Sequence, residues 1–297
     1  MATYKTPWRV ASFNFRHWRK DVRVGFIFLF TAILVIYYVK PFLNYGMDYR
    51  KNCTPFLLPL LFGGNQVSVA SPKLLFYVGM LMLFCDAPFM YPVTPYMLIR
   101  SRRNSWWIGE CIYIVLASLL YISFISLVCL IVVLPVITWK DTWGSAAYEL
   151  RFGSNTMSAN ELKMKYGLFY WSASFFRFLN PIGSFLYCFF SGWASFAVLG
   201  LTMYLATLRT KQVLWGFCFS GAMIFLDPLL NWIASLGHQW ARAFSPVCWS
   251  SVELLKLVDD DYFVTIPFAA GMYIVLILLL VIGIGRCSRK TAIEVGI

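Results

Sequence analysis

The chain has 297 residues, 60% of them apolar and 13% charged, against about 45–50% apolar and 25% charged in a soluble domain. That balance excludes a water-soluble enzyme. A net charge of +12 often signals nucleic acid, but in so apolar a chain membrane topology is the simpler cause, and no nucleic-acid partner is expected.

The stretch 1–23, MATYKTPWRVASFNFRHWRKDVR, is basic and aromatic. It reads as a helix in the cytoplasmic membrane interface. Trp8, Phe13, Phe15 and Trp18 offer membrane contacts, and Arg9, Arg16, Arg19 and Lys20 meet anionic headgroups or a cytoplasmic partner. The apolar run behind it has no small-residue cleavage site before Lys40-Pro41, so it reads as a retained first span and not a signal peptide.

Crossing a bilayer core takes about 20 mostly apolar residues as a helix, because backbone polar groups must be satisfied internally. Six segments qualify: about Val24 to Leu43, Leu74 to Val93, Cys111 to Val136, Pro181 to Leu208, Val213 to Ala234 and Tyr262 to Gly285. The predicted fold is therefore a single all-α polytopic membrane domain over 1–297, with six transmembrane helices and both termini cytoplasmic. Between the first two spans, Phe56 to Phe62 is too short to cross and stops at Gly63-Gly64, which suggests a re-entrant or interfacial piece. Asn52-Cys53-Thr54 fits a glycosylation sequon, as chance also allows.

Two carboxylates lie within spans, Asp86 in LLFCDAPFMYP and Asp227 in MIFLDPLLN, each beside a proline, Pro88 and Pro228. A buried acid is costly unless it faces protein, water or a partner, so both are candidates for structural pairing or for a transport path and its gate. Asp86 is expected near the cytoplasmic end, within reach of Arg100, Arg102 or Arg103.

The next segment, VTPYMLIRSRRNSWWIGE, sets Tyr96, Met97, Leu98 and Ile99 ahead of Arg100, Arg102 and Arg103, then Trp106. This apolar-then-basic order suits a short helix docking into a groove on a soluble subunit. The long outer loop, 137–180, reads as a polar excursion followed by an interface-lying helix in FYWSASFFRF. In the fourth span Ser191, Gly192, Ala194 and Ser195 allow close helix packing.

Orientation follows from the loops. With both termini inside, the cytoplasmic segments hold fourteen cations, including Arg209, Lys211, Arg286, Arg289 and Lys290, against three acids, Asp21, Glu110 and Glu294. The outer segments, Lys73 included, hold eleven cations against eight acids. The eight cysteines contain no CxxC pair, so neither a zinc site nor a disulfide scaffold is indicated. Only Cys53 and Cys248 have a route to an outer pairing.

Enzyme and metal motifs are absent. The two histidines, His17 and His238, lie far apart, HExxH and GxSxG do not occur, and Asp259-Asp260-Asp261 reads as a solvated turn. No GxxxxGK[ST] phosphate loop is present, so any ATP chemistry belongs to a partner.

The order of basic interfacial helix, first span, second span with an acid and prolines near its inner end (CDAPFMYPVTPYMLIRSRRNSWWIGECIYIVLASLLY) and six spans resembles the membrane permease of type-2 ABC transporters. The likeness is to permeases of Gram-positive bacteria that work with a separate ATPase, and in residue detail it centres on 84–121. It implies that Pro95 to Trp106 is a coupling helix and that Gly237 to Asp261 folds partly back into the membrane. It also implies a bacterial cytoplasmic membrane, a second permease copy or similar permease, and ABC ATPase subunits carrying ATP and magnesium. ATP-driven closure would then open a path between permeases, lined by the first, second and fifth spans, for an amphipathic peptide or lipid-like cargo. The insertion-like Asn44 to Pro72 departs from that pattern. A gradient-driven transporter protonating Asp86 or Asp227, and a non-transporting scaffold or sensor, are the alternatives.

Overall fold

The computed structural model describes residues 5–63, 71–89, 103–154, 156–166, 176, 180–255 and 264–290. Its helices are α1 (Lys5–His17), α2 (Val22–Asp48), α3 (Leu58–Phe62), α4 (Pro72–Leu83), α5 (Arg103–Val133), α6 (Gly144–Phe152), α7 (Ala159–Tyr166), α8 (Pro181–Thr210), α9 (Val213–Ser235) and α10 (Ile266–Lys290). Among the described residues there is no strand, only one isolated bridge between Cys53 and Ile137. Five helices, α2, α5, α8, α9 and α10, are long and apolar enough to cross a membrane. The chain is a multi-pass integral membrane protein.

Side-chain contacts give each helix its direction. Thr31 of α2 meets Tyr121 of α5, and Val136 fills the space beside Gly46, so α2 and α5 run parallel. Helix α8 runs against them, with Gly192 facing Ile122 and Gly200 facing Ile114. Helix α9 reverses again, its Ser220 Oγ donating to the Leu199 carbonyl at 3.1 Å, and α10 returns with Gly283 on Leu205 and Gly285 on Trp107. Helix α4 runs with α8, from Tyr77 beside Ser195 to Phe84 beside Gly200. The starts of α2, α5 and α9 and the ends of α4, α8 and α10 therefore share one end of the bundle with α1.

The expected second span, Leu74 to Val93, is corrected. Helix α4 stops at Leu83 and turns follow through Phe89, while 90–102 lies outside the described residues. Pro88 keeps the helix from running on past this turn, because it cannot donate to the Phe84 carbonyl and it disfavours helical geometry at Ala87. Twelve residues rise only about 18 Å, so α4 alone is too short to cross. The remaining depth is occupied by α3, all five of whose residues are buried. Its Phe62 ring lies 6.2 Å from Phe76, 6.4 Å from Tyr77 and 6.3 Å from Phe196. The short run 56–62 is thus an internal packing piece, and 44–48, counted above in the insertion-like stretch, is the last turn of α2.

At the end away from α1, the chain after α2 is sewn to the end of α5. Cys53 N–H donates to the Val136 carbonyl at 2.8 Å and Thr138 N–H to the Cys53 carbonyl at 2.9 Å. Helix α6 docks beside them at Gly144, where φ is +75° and a Cβ would sit 2.6 Å from the Asn52 carbonyl, so only glycine fits. Glu149 of α6 then accepts from Tyr45 Oη and Lys51 Nζ, both at 2.6 Å. These bonds outweigh the opposing effect of burial and hold its carboxyl below the ordinary glutamate range. In the FYWSASFFRF stretch only Phe176 is described, buried 5.5 Å from the Trp143 ring.

Candidate functional site

Between α9 and α10 the chain turns back into the bundle. Residues 239–255 form three short 3-10 turns, Gln239–Phe244, Cys248–Ser250 and Val252–Leu254. Such turns leave carbonyls without partners, and at membrane depth no water is present to satisfy them. Neighbouring side chains do so instead. Tyr273 Oη and Ser195 Oγ donate to the Pro246 carbonyl at 2.6 and 3.2 Å. Tyr187 Oη donates to the Trp249 carbonyl at 2.7 Å, Trp249 Nε1 to the Arg242 carbonyl at 3.0 Å, and Ser251 Oγ to the Phe62 carbonyl at 2.7 Å. Ser195 lies near the middle of the 30-residue α8, so this backbone sits about 20 Å from either end of that helix.

Beneath the segment is a buried ion pair. Lys73 Nζ donates to Asp227 Oδ2 at 3.1 Å, with 1% and 5% of the two side chains exposed. Ser245 Oγ donates to Asp227 Oδ1 at 2.6 Å and accepts the Cys248 N–H at 3.0 Å. One turn along α9, Asn231 Nδ2 donates to the Asp227 carbonyl at 3.0 Å, and Arg242 Nε donates to Asn231 Oδ1 at 3.3 Å. Tyr77 Oη completes the cluster, 2.7 Å from Ser195 Oγ and 2.9 Å from Ser250 Oγ. Lys73 and Asp227 are paired and Asp227 is further hydrogen-bonded, the condition on which buried ions persist, while the buried Arg242 guanidinium donates to Asn231 and Gln239.

Lys73 was counted above among outer-loop cations and is corrected to the second residue of α4, facing inward. Asp227 is buried and paired, one of the two placements its sequence context left open. Asp86 differs. Its side chain is 57% exposed and its described partner is Arg23 of α2, which also holds Asp21 at 3.0 Å and reaches Cys85 Sγ at 2.9 Å. The expected pairing with Arg100, Arg102 or Arg103 lies outside the described residues and side chains, and Asp86 sits in the turn after α4 with Pro88, apart from Asp227 and Pro228. Both Cys53 and Cys248 are buried and free, so the outer pairing is also corrected.

At the α1 end, Arg9, Arg16 and Arg19 are exposed as expected for a contact surface. The opposite face of α1 is tied to α5. Gly109 lies against Val10 and the Pro7 carbonyl, Asn14 Nδ2 donates to Glu110 Oε2 at 2.7 Å, and Trp18 Nε1 donates to Tyr113 Oη at 2.7 Å. Glu110 is thus a buried residue and not a loop acid. Trp106 is corrected too, since it is 1% exposed with its ring edge-on to Tyr204, 6.4 Å away. It anchors α5 and offers no surface, because Arg103 and Trp106 already belong to that helix. Tyr96, Met97, Leu98, Ile99, Arg100 and Arg102 lie outside the described residues, as does Asp259-Asp260-Asp261. An apolar groove of about 380 Å³ opens between α1, α5 and α10, walled by Trp8, Trp107, Cys111 and Val281. Among the described residues no group of acids, histidines and cysteines is placed to hold a metal. No family model matches the chain, and neither does any curated protein or solved structure.

Proposed function

We propose that the chain is the membrane permease subunit of an ATP-driven exporter of the type-2 ABC kind, moving an amphipathic peptide or lipid-like cargo with a separate ATPase. In this reading it crosses a bacterial cytoplasmic membrane six times, the second crossing being the broken α3/α4 pair, and both termini face the cytoplasm. It works beside a second permease copy or a similar permease, and ATP and magnesium bind to the ATPase.

The observation that carries the reading is the returning segment 239–255 between the last two long helices, with its carbonyls satisfied by side chains. The resemblance implies such a piece at this place in the order. The α1–α5 joint supports it further. Basic residues stand outward on a helix whose inner face is locked to the start of α5, so force applied at 95–106 would move α1 and α5 together. A gradient-driven mechanism draws less support, since Asp86 is exposed and paired with Arg23 while Asp227 is held by Lys73 and Ser245.

Affinity purification of the tagged chain in mild detergent tests the reading. A Walker-type ATPase is expected to co-purify with ATP hydrolysis activity, and to be lost when Arg100, Arg102 and Arg103 are all replaced by Ala. Recovery of the chain alone, without ATP hydrolysis, contradicts it.

A further inference from the structure

We infer that Lys73, Asp227 and Ser245 form a latch that holds the returning segment 239–255 shut over the seam between α4 and α9, and that opening this seam is the step that breaks the pair. The inference deepens the permease reading, on which it rests only for what drives the opening; the latch itself involves residues of this chain alone.

Three observations converge on it. The first is burial. The Arg23–Asp21, Arg23–Asp86 and Lys51–Glu149 pairs keep between 20% and 57% of their side chains exposed, whereas Lys73 and Asp227 keep 1% and 5%. Apolar residues of similar volume would hold the same elements together as well or better, so packing alone gives no reason for charges here. The second is position. Lys73 sits in the first turn of a helix that begins inside the bundle, where a cation opposes the helix dipole and Asp227 relieves it. Asp227 directly precedes Pro228, which cannot donate to the Ile224 carbonyl, so α9 lacks a rung at this depth. The pair therefore joins two helices where each has the least backbone support of its own. The third is connection. The second oxygen of Asp227 accepts a hydrogen bond from the Ser245 hydroxyl, whose own oxygen caps the Cys248 turn. Separating Asp227 from Lys73 thus frees the turn that carries Cys248, and hydration of the parted charges stabilises the open form as contact does the closed one.

Cys248 is the native reporter, since it is buried in the returning segment, while Cys111 is buried at the distant α1 end. The full-length protein in lipid nanodiscs is treated with N-ethylmaleimide, and labelling of each cysteine peptide is followed by mass spectrometry. In Asp227→Asn, Cys248 labelling is expected to rise at least about tenfold over the unaltered chain with Cys111 unchanged. Ser245→Ala, which leaves no charge unpaired, gives a smaller rise confined to Cys248. The apolar double variant Lys73→Met/Asp227→Leu removes the unpaired charge but also the Ser245 acceptor, so labelling falls from the Asp227→Asn rate to about that of Ser245→Ala, which a latch predicts and a hydrated or catalytic Asp227 does not. Cys248 labelling in Asp227→Asn as slow as in the unaltered chain overturns the latch. If that variant exposes Cys111 as well, Ser245→Ala decides: a selective rise at Cys248 supports the latch, and no change overturns it.

Discussion

The two ends of the bundle solve different problems. Away from α1, irregular backbone enters the interior, and the cost is met by polar side chains from several helices converging on one segment, with an ion pair beneath. At the α1 end, a regular helix lies across the starts of the spans. It is held by ring packing, as between Phe15, Trp18 and Tyr113, by close approach at Gly109, and by the Asn14–Glu110 hydrogen bond. The first end depends on complete satisfaction of buried polar groups, so removing one partner strands the rest. The second depends on shape, where losses stay local. A part that must open is more naturally built the first way, and a part that must transmit force the second.

Breaking the polar end has the largest expected effect. Lys73→Met leaves Asp227 as an unpaired buried charge and should lower stability by about 3–5 kcal/mol, read as thermal unfolding in detergent. At the α1 end, Asn14→Ala removes the described partner of the Glu110 carboxyl but leaves the ring packing, and should cost about 1–3 kcal/mol. Hydrogen exchange is expected to show that loss in α1 and the first turns of α5, with 239–255 unaffected. Equal costs, or loss of protection throughout, would erase the distinction between the ends.

A milder test lies in the cap over the polar end. Burial opposes ionisation of Glu149, yet Lys51 and Tyr45 hold its carboxyl below the ordinary range. Its contribution is therefore present at neutral pH and is lost as pH falls through that lowered value, below the unfolded value of about 4.3. Exchange protection of α6 should stay constant from about pH 8 to 5 and fall at lower pH; in Glu149→Gln that acid step should vanish. The smallest effect is expected from Tyr204→Phe. The Tyr204 hydroxyl is buried with no hydrogen-bond partner among the described residues, so its removal should change stability by no more than about 0.5 kcal/mol, with any shift toward greater stability.

Much of the helical layout was legible in the sequence because crossing a bilayer demands a long apolar run. Val213 to Ala234 against the observed Val213–Ser235, and Pro181 to Leu208 against Pro181–Thr210, differ by a residue or two. The second span misled for the same reason. In LLFYVGMLMLFCDAPFMYP the apolar character continues past Leu83, and a buried span carries no amphipathic period to show where helix gives way to turn. Pro88 was the available signal. Asp227 stood out as a carboxylate in a span, but its partner did not, since Lys73 beside Ser71-Pro72 reads as a loop cation and its pairing spans 154 positions. Trp106 was assigned to the surface by its nearness to Arg102 and Arg103. Helix α5 turns it inward onto Tyr204 and leaves its neighbour Trp107 to wall the groove.

The central claim is that α3 and α4 together make a crossing, so that five long helices and one broken one return the chain to the side on which it began. Short epitope tags before residue 5, after residue 290 and at Gly153, between α6 and α7, test it by antibody access in intact and permeabilised cells. The account predicts that the Gly153 tag is reached in intact cells and that both terminal tags are reached only after permeabilisation. A C-terminal tag reached in intact cells together with Gly153 would mean an odd number of crossings and would contradict it.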